Sequence, residues 1–130
     1  MLSVWLSRLV LAAATMLLAT IAVTYIVDPA GAVAPHRIVL GSGEAMTIMR
    51  VSGGVFLGIA IALAACAVSE RRLLVGLGFL VAVAGAITAV RLLGLVLDGP
   101  EPFTLHVLKP ELALVAFSTL AFVLERRRAR

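Results

Sequence analysis

Two arginines stand where the chain is otherwise built for lipid. Arg50 lies in "EAMTIMRVSGGVFLG", immediately before the uncharged residues 51 to 69, and Arg91 lies in "ITAVRLLGLVLDG", immediately after the uncharged residues 73 to 90. A guanidinium is a permanent cation whose planar fork of donors matches carboxylate or phosphate. Placed at the centre of a membrane helix it costs about 2.5 kcal/mol or more, so it turns toward a bundle interior, a wet cavity or the headgroups. Candidate counter-charges are Asp28, Glu44, Asp98 and Glu111, each expected at or near a helix end. The chemistry open to Arg50, Arg91, Glu111, Glu44 and Asp98 is therefore of two kinds. The residues tie helices together through ion pairs, or they line a polar pocket able to receive an anionic headgroup or small solute.

The other reactive residue types offer less. Cys66 is the only cysteine and has no partner for a disulfide or a metal, which predicts a packed thiol of no catalytic use. His36 and His106 fall in connecting segments with no second ligand at helical spacing, so both are expected as solvated loop residues, and no metal or cofactor is expected. "GSGE" at 41 to 44 lacks the lysine and the strand-to-helix setting of a phosphate loop. The chain has no HExxH, GxSxG or CxxC. A non-enzymatic protein is the expectation.

The elements that must hold these residues follow from composition. The chain is 62% hydrophobic and 14% charged, with a mean hydropathy of +1.15, whereas about a quarter of the residues of a soluble domain are charged. Uncharged runs at 9 to 27, 51 to 69 and 73 to 90 hold 19, 19 and 18 residues, close to the roughly 20 that cross a bilayer as a helix. A shorter run follows Pro110 and Glu111, which suit the first turn of a helix. The reading is a single all-α domain over 1 to 130, an integral membrane four-helix bundle with spans at about 4–27, 45–68, 73–97 and 110–125. A cleaved signal peptide is the rival for the first span, because "AGAVA" offers small-residue cleavage patterns. Pro35 after the likeliest cut and the length of the apolar run favour a retained helix.

Basic residues set the orientation. Arg8, Arg71, Arg72, Arg126, Arg127, Arg128 and Arg130 fall on one side of a four-span chain, so both termini are expected in the cytoplasm, N-in and C-in, in a multi-pass protein of the bacterial inner membrane. The net charge of +4 is placed by this topology and is not interleaved with aromatics, which argues against nucleic acid and for contact with anionic lipid. Small residues recur at intervals of four, as Gly54 and Gly58 with Ala62, beside Gly53, in the second span and as Gly78, Ala82 and Ala86 in the third. Such ladders let helix backbones approach closely, here within one chain by expectation.

Arg50 lies six residues below Glu44, roughly 9 Å, and Arg91 seven below Asp98, roughly 10 Å. Matched depth predicts that the two cations converge on Glu111. Side chains lean toward the N-terminus of their own helix, so Arg50 leans outward and Arg91 toward the membrane centre.

Asp28-Pro29 after the first helix, Arg50 before Gly53 and Gly54, Arg91 with Asp98-Gly99 in the third helix, and Glu111 opening the fourth resemble a bacterial family of small four-helix membrane proteins labelled a domain of unknown function and similar in build to DoxX-like proteins. The resemblance spans almost the whole chain. It implies a four-helix bundle in the inner membrane and no established activity. The preferred function is an accessory or scaffold component, with membrane lipids and a membrane protein or a second copy as partners. The alternative is binding or transport of a small anionic or lipophilic solute, transport requiring an oligomer because four helices leave little room for a pathway. In a protein whose Cys66 has been replaced by alanine, cysteines introduced at Ser42 and Ser69 should react with an impermeant thiol reagent from opposite sides of the membrane; labelling of both from one side removes the four-span topology.

Overall fold

The computed structural model describes residues 2 to 130, all-α within that range. Four long helices, α1 (Leu2–Val27), α3 (Gly43–Ala67), α4 (Leu73–Leu97) and α5 (Pro102–Arg128), are joined through a short α2 (Pro29–Val33) and two 3-10 turns, Ala34–His36 and Glu70–Arg72. All four are long and apolar enough to cross a membrane. In lipid a polar group gains most from a partner inside the protein, although the buried hydroxyls of Thr15 and Thr88 have none among the described residues. The hydroxyls of Thr20, Thr47 and Ser52 accordingly donate to carbonyls four residues back, and that of Thr24 to Ile21 and Thr20.

Helix ends follow local chemistry. Ser42 caps α3 by accepting from the Ala45 amide at 3.1 Å, with Glu44 in the positive first turn. Asp28 caps α2 by accepting from the Gly31 amide at 2.9 Å, and Pro29 occupies the first turn. The α4–α5 connection turns at Gly99, with φ +90°.

The fourth spanning helix begins at Pro102, eight residues before the expected start at 110, and Pro110 lies inside it. Glu101, extended at φ −70° and ψ 140°, is the non-helical residue before a proline, and Pro102 supplies the preset first-turn backbone. The mixed sequence "PFTLHVLK" hides this helical turn from an apolar-run reading. The missing amide of Pro110 leaves the His106 carbonyl without its usual helical donor, which the other turns of the helix outweigh.

α1 packs chiefly along α3, and α4 along α5; α1 also meets α5 and α4. The buried stripe of α1 runs Val4, Ser7, Leu11, Ala14, Leu18 and Ala22, a spacing of three and four residues that marks one helical face. It meets Ala60 and Leu63 of α3, Leu73, Leu77 and Leu80 of α4, and Ala121 of α5. This cluster lies in the half of the bundle that carries the two chain termini, hereafter the terminal half.

The small-residue ladders take other places than expected. Gly54 and Gly58 have nothing within 4 Å of where a Cβ would stand, and Ala62, Ala82 and Ala86 are exposed, so these faces point out of the bundle. Only Gly78 of those ladders meets a neighbour, the Phe122 ring at 3.3 Å from an added Cβ. Close approach uses Gly53, where a Cβ would stand 2.9 Å from the Ala22 carbonyl oxygen, and Gly76, where it would stand 2.5 Å from Cys66 Cβ. One residue along a helix is a rotation of about 100°, so Gly53 faces α1 while Gly54 faces outward. Gly53→Ala and Gly76→Ala should each lower stability by about 1 to 3 kcal/mol through overpacking, read as a lower Tm in detergent, while Gly58→Ala should not lower it.

Candidate functional site

At the end of the bundle opposite the termini, Arg91 and Glu111 form a two-pronged ion pair. Arg91 Nε donates to Glu111 Oε2 at 2.6 Å and Nη2 donates to Oε1 at 2.7 Å, with 22% and 17% of the two side chains exposed. The fork engages both carboxylate oxygens. Because α5 starts at Pro102, Glu111 lies nine residues inside it and not at its positive end, so Arg91 rather than the helix terminus supplies the compensating charge.

Arg50 takes another partner, which corrects the expected convergence. Its Nε donates to the Ile26 carbonyl at 3.2 Å, and the residue is exposed. That carbonyl is among the last of α1, at the negative end of the helix, where a cation is favourable and where carbonyls lack helical donors. Each arginine thus binds within its own hairpin, Arg50 across α3 and α1, Arg91 across α4 and α5. Glu44 and Asp98 are exposed and pair with no cation among the described residues.

The Arg91 pair connects to a feature that sequence reasoning treated as solvated loop. The Arg91 guanidinium carbon sits 5.9 Å from the centroid of the Phe103 ring, within cation–π range. Phe103 in turn packs against His36, with centroids 4.4 Å apart and planes tilted by 43°, and the His36 and His106 centroids are 6.5 Å apart. The two histidines therefore come together, His36 from the turn after α2 and His106 from the early turns of α5. Beside them lies a cavity of about 730 Å³ lined by Pro35, His36, Arg37, Glu101, Phe103 and His106, among others. Nothing in the sequence spacing announces it, because the early start of α5 creates its far wall. No group of three or more His, Cys, Asp or Glu among the described residues could hold a metal ion. Cys66 is a free thiol, half-buried against Gly76.

A second polar cluster, at the terminal end, was missed by the sequence reading. Glu125 is 1% exposed. Its Oε2 accepts from Ser7 Oγ of α1 at 3.1 Å, and its Oε1 accepts from Arg128 Nε at 2.9 Å and from Arg128 Nη2. Nearby, Arg8 Nη2 approaches Glu70 Oε1 at 3.7 Å. The available signal was the period: Ser118, Ala121 and Glu125 lie three and four apart on one face of α5, and all three are buried. The run "ERRR" reads as a lipid-facing tail only if Glu125 is counted with its neighbours.

Removing one partner of a buried ion pair strands the other charge, which costs about 3 to 5 kcal/mol in soluble proteins. Arg91→Ala and Glu111→Ala should each lower the unfolding stability of the detergent-solubilised protein by an amount of that order. Arg50→Ala, whose side chain reaches the surface, should cost about 1 kcal/mol or less. A double-mutant cycle on Arg91 and Glu111 should show strong coupling.

Comparison with known proteins reports one family, described as "Domain of unknown function (DUF4345)", matching residues 6–122. No curated protein and no solved structure matches the chain. The matched segment takes in Arg50, Arg91, Glu111 and both histidines, together with nearly all of the four spanning helices. A chain of four membrane-length helices that this match covers almost from end to end belongs to the DUF4345 family.

Proposed function

We propose that this multi-pass membrane protein is a non-enzymatic accessory or scaffold component of the bacterial inner membrane, with both termini in the cytoplasm. The observation that carries the reading is the two-pronged Arg91–Glu111 pair. Both carboxylate oxygens accept from the same guanidinium at 2.6 and 2.7 Å, so two charges within the spans act as a clasp between α4 and α5.

The outward faces supply what a scaffold needs. Gly54 and Gly58 of α3 have open space where a Cβ would stand, and Ala62 extends the same exposed face. Small residues in this pattern allow another membrane helix, from a partner protein or a second copy, to approach closely. The arginines of the terminal end suit anionic headgroups of the cytoplasmic leaflet.

The test is chemical cross-linking in intact membranes, then purification in mild detergent and mass spectrometry of the wild type beside Gly54→Leu/Gly58→Leu. The expected result is a stoichiometric protein partner or homodimer that the double variant loses while keeping the wild-type Tm. A monomer with no cross-linked product in the wild type overturns the scaffold reading.

A further inference from the structure

We propose that the cavity between the α2–α3 connection and the start of α5 binds a small zwitterion carrying a phosphate and an ammonium, the chemistry of a phosphoethanolamine group, whether free or as a lipid headgroup. Two charges of opposite sign, Arg37 and Glu101, line this one cavity. They do not pair with each other, and among the described residues neither pairs with any other charged group. Glu101 also makes no capping bond to α5. Opposite charges that share a cavity without meeting are matched by a ligand that brings both complements.

Each wall suits one end of such a ligand. The Arg37 guanidinium can grip a phosphate in two-pronged fashion, and His36, in the same connection, adds a ring nitrogen. On the α5 side, the Glu101 carboxylate accepts from an ammonium, and His106 offers a further ring nitrogen. A simple anion would leave Glu101 opposed by like charge, and a simple amine would leave Arg37 so. The volume of about 730 Å³ falls in the usual range for small-molecule sites and admits the glycerol linkage and water along with the charged group. The cavity lies at the ends of the spanning helices, where headgroups sit, and so is open to either source of the ligand.

The position of Arg37 also makes a clean variant available. Its backbone is left-handed, at φ 59° and ψ 23°, with its amide donating to the Ala34 carbonyl at 3.0 Å. Asparagine adopts that conformation readily, so Arg37→Asn removes the charge and keeps the turn; Arg37→Gly serves as a second variant that keeps the backbone.

Calorimetric titration of the full-length protein in detergent micelles uses three probes: glycerophosphoethanolamine, glycerol phosphate and ethanolamine. The proposal expects saturable one-site binding of the first, with each of the other two at least tenfold weaker. Arg37→Asn should weaken glycerophosphoethanolamine at least tenfold. Glu101→Gln should do the same while leaving glycerol phosphate as strong or stronger, a selective change that unfolding does not produce. In a second arm, native mass spectrometry follows release from nanodiscs of equal phosphatidylethanolamine and phosphatidylglycerol. Retention of the former by the wild type and its loss from Arg37→Asn identifies a lipid source, whereas binding of the free probe alone identifies a soluble one. Absence of both signals, or variants that bind as the wild type does, overturns the site. Equal affinity for glycerophosphoethanolamine and glycerol phosphate overturns its zwitterionic character.

Discussion

Lipid tails are as apolar as leucine, so nothing like the hydrophobic effect in water presses these four helices together, and association rests on close packing and on polar pairs that have no better partner. The Arg91–Glu111 pair is the strongest such contact at its end of the bundle, and its geometry follows from side-chain direction. Arg91 lies six residues below the end of α4 at Leu97, and Glu111 nine residues from the start of α5 at Pro102, depths of roughly 9 and 13 Å. Side chains lean toward their own helix N-terminus, so in this antiparallel pair Arg91 leans inward and Glu111 outward. The opposed lean closes the offset and brings the fork to 2.6 and 2.7 Å.

The two halves of the bundle are held differently. In the terminal half, leucines and alanines from all four helices form one buried cluster, and Glu125 ties α5 to α1 through Ser7. In the other half α5 buries no residue before Ser118, α1 and α4 bury Ala22 and Thr88, and His36 packs against Phe103 at the rim. Cohesion therefore falls from the terminal end to the opposite one, and the cavity occupies the loosely held end. A binding site is most economically placed there, since ordering its walls disturbs no packed core.

How much of this could be read from the residues alone depended on range. Span number, helix type and the starts of α3 and α4 rest on runs of uncharged residues and local caps, signals that a bilayer makes nearly unambiguous. The start of α5 failed because Pro110-Glu111 imitates a helix start, while the true one, Glu101-Pro102, heads a polar stretch. That one displacement hid the approach of His106 and Phe103 to His36, which depends on a helical turn that the apolar run does not reveal. The glycine ladders misled for a different reason. An interval of four defines a face but not what the face meets, and Gly53 rather than Gly54 is turned toward α1. Glu125 went unweighed because charge counting treats the tail as a block, whereas burial is decided residue by residue along the helical period.

The charged residues of the chain divide by whether their partners are internal. Arg91 with Glu111 and Glu125 with Arg128 and Ser7 are complete within the fold, and a ligand would have to displace a protein contact made in a poorly hydrated setting. Arg50 is half complete: its Nε holds the end of α1, and the exposed guanidinium extends toward the headgroup level. Arg37 and Glu101 have no charged partner among the described residues, although they line one cavity. Burial separates the groups: Arg91, Glu111 and Glu125 are largely buried and paired, whereas Arg50, Arg37 and Glu101 are exposed. Charges that cannot reach water carry their counter-charge with them, and those at the rim, where water and headgroups can complete them, are the ones left open. On the proposed reading, recognition belongs at the rim, while Arg91 inside the spans serves the architecture through Glu111.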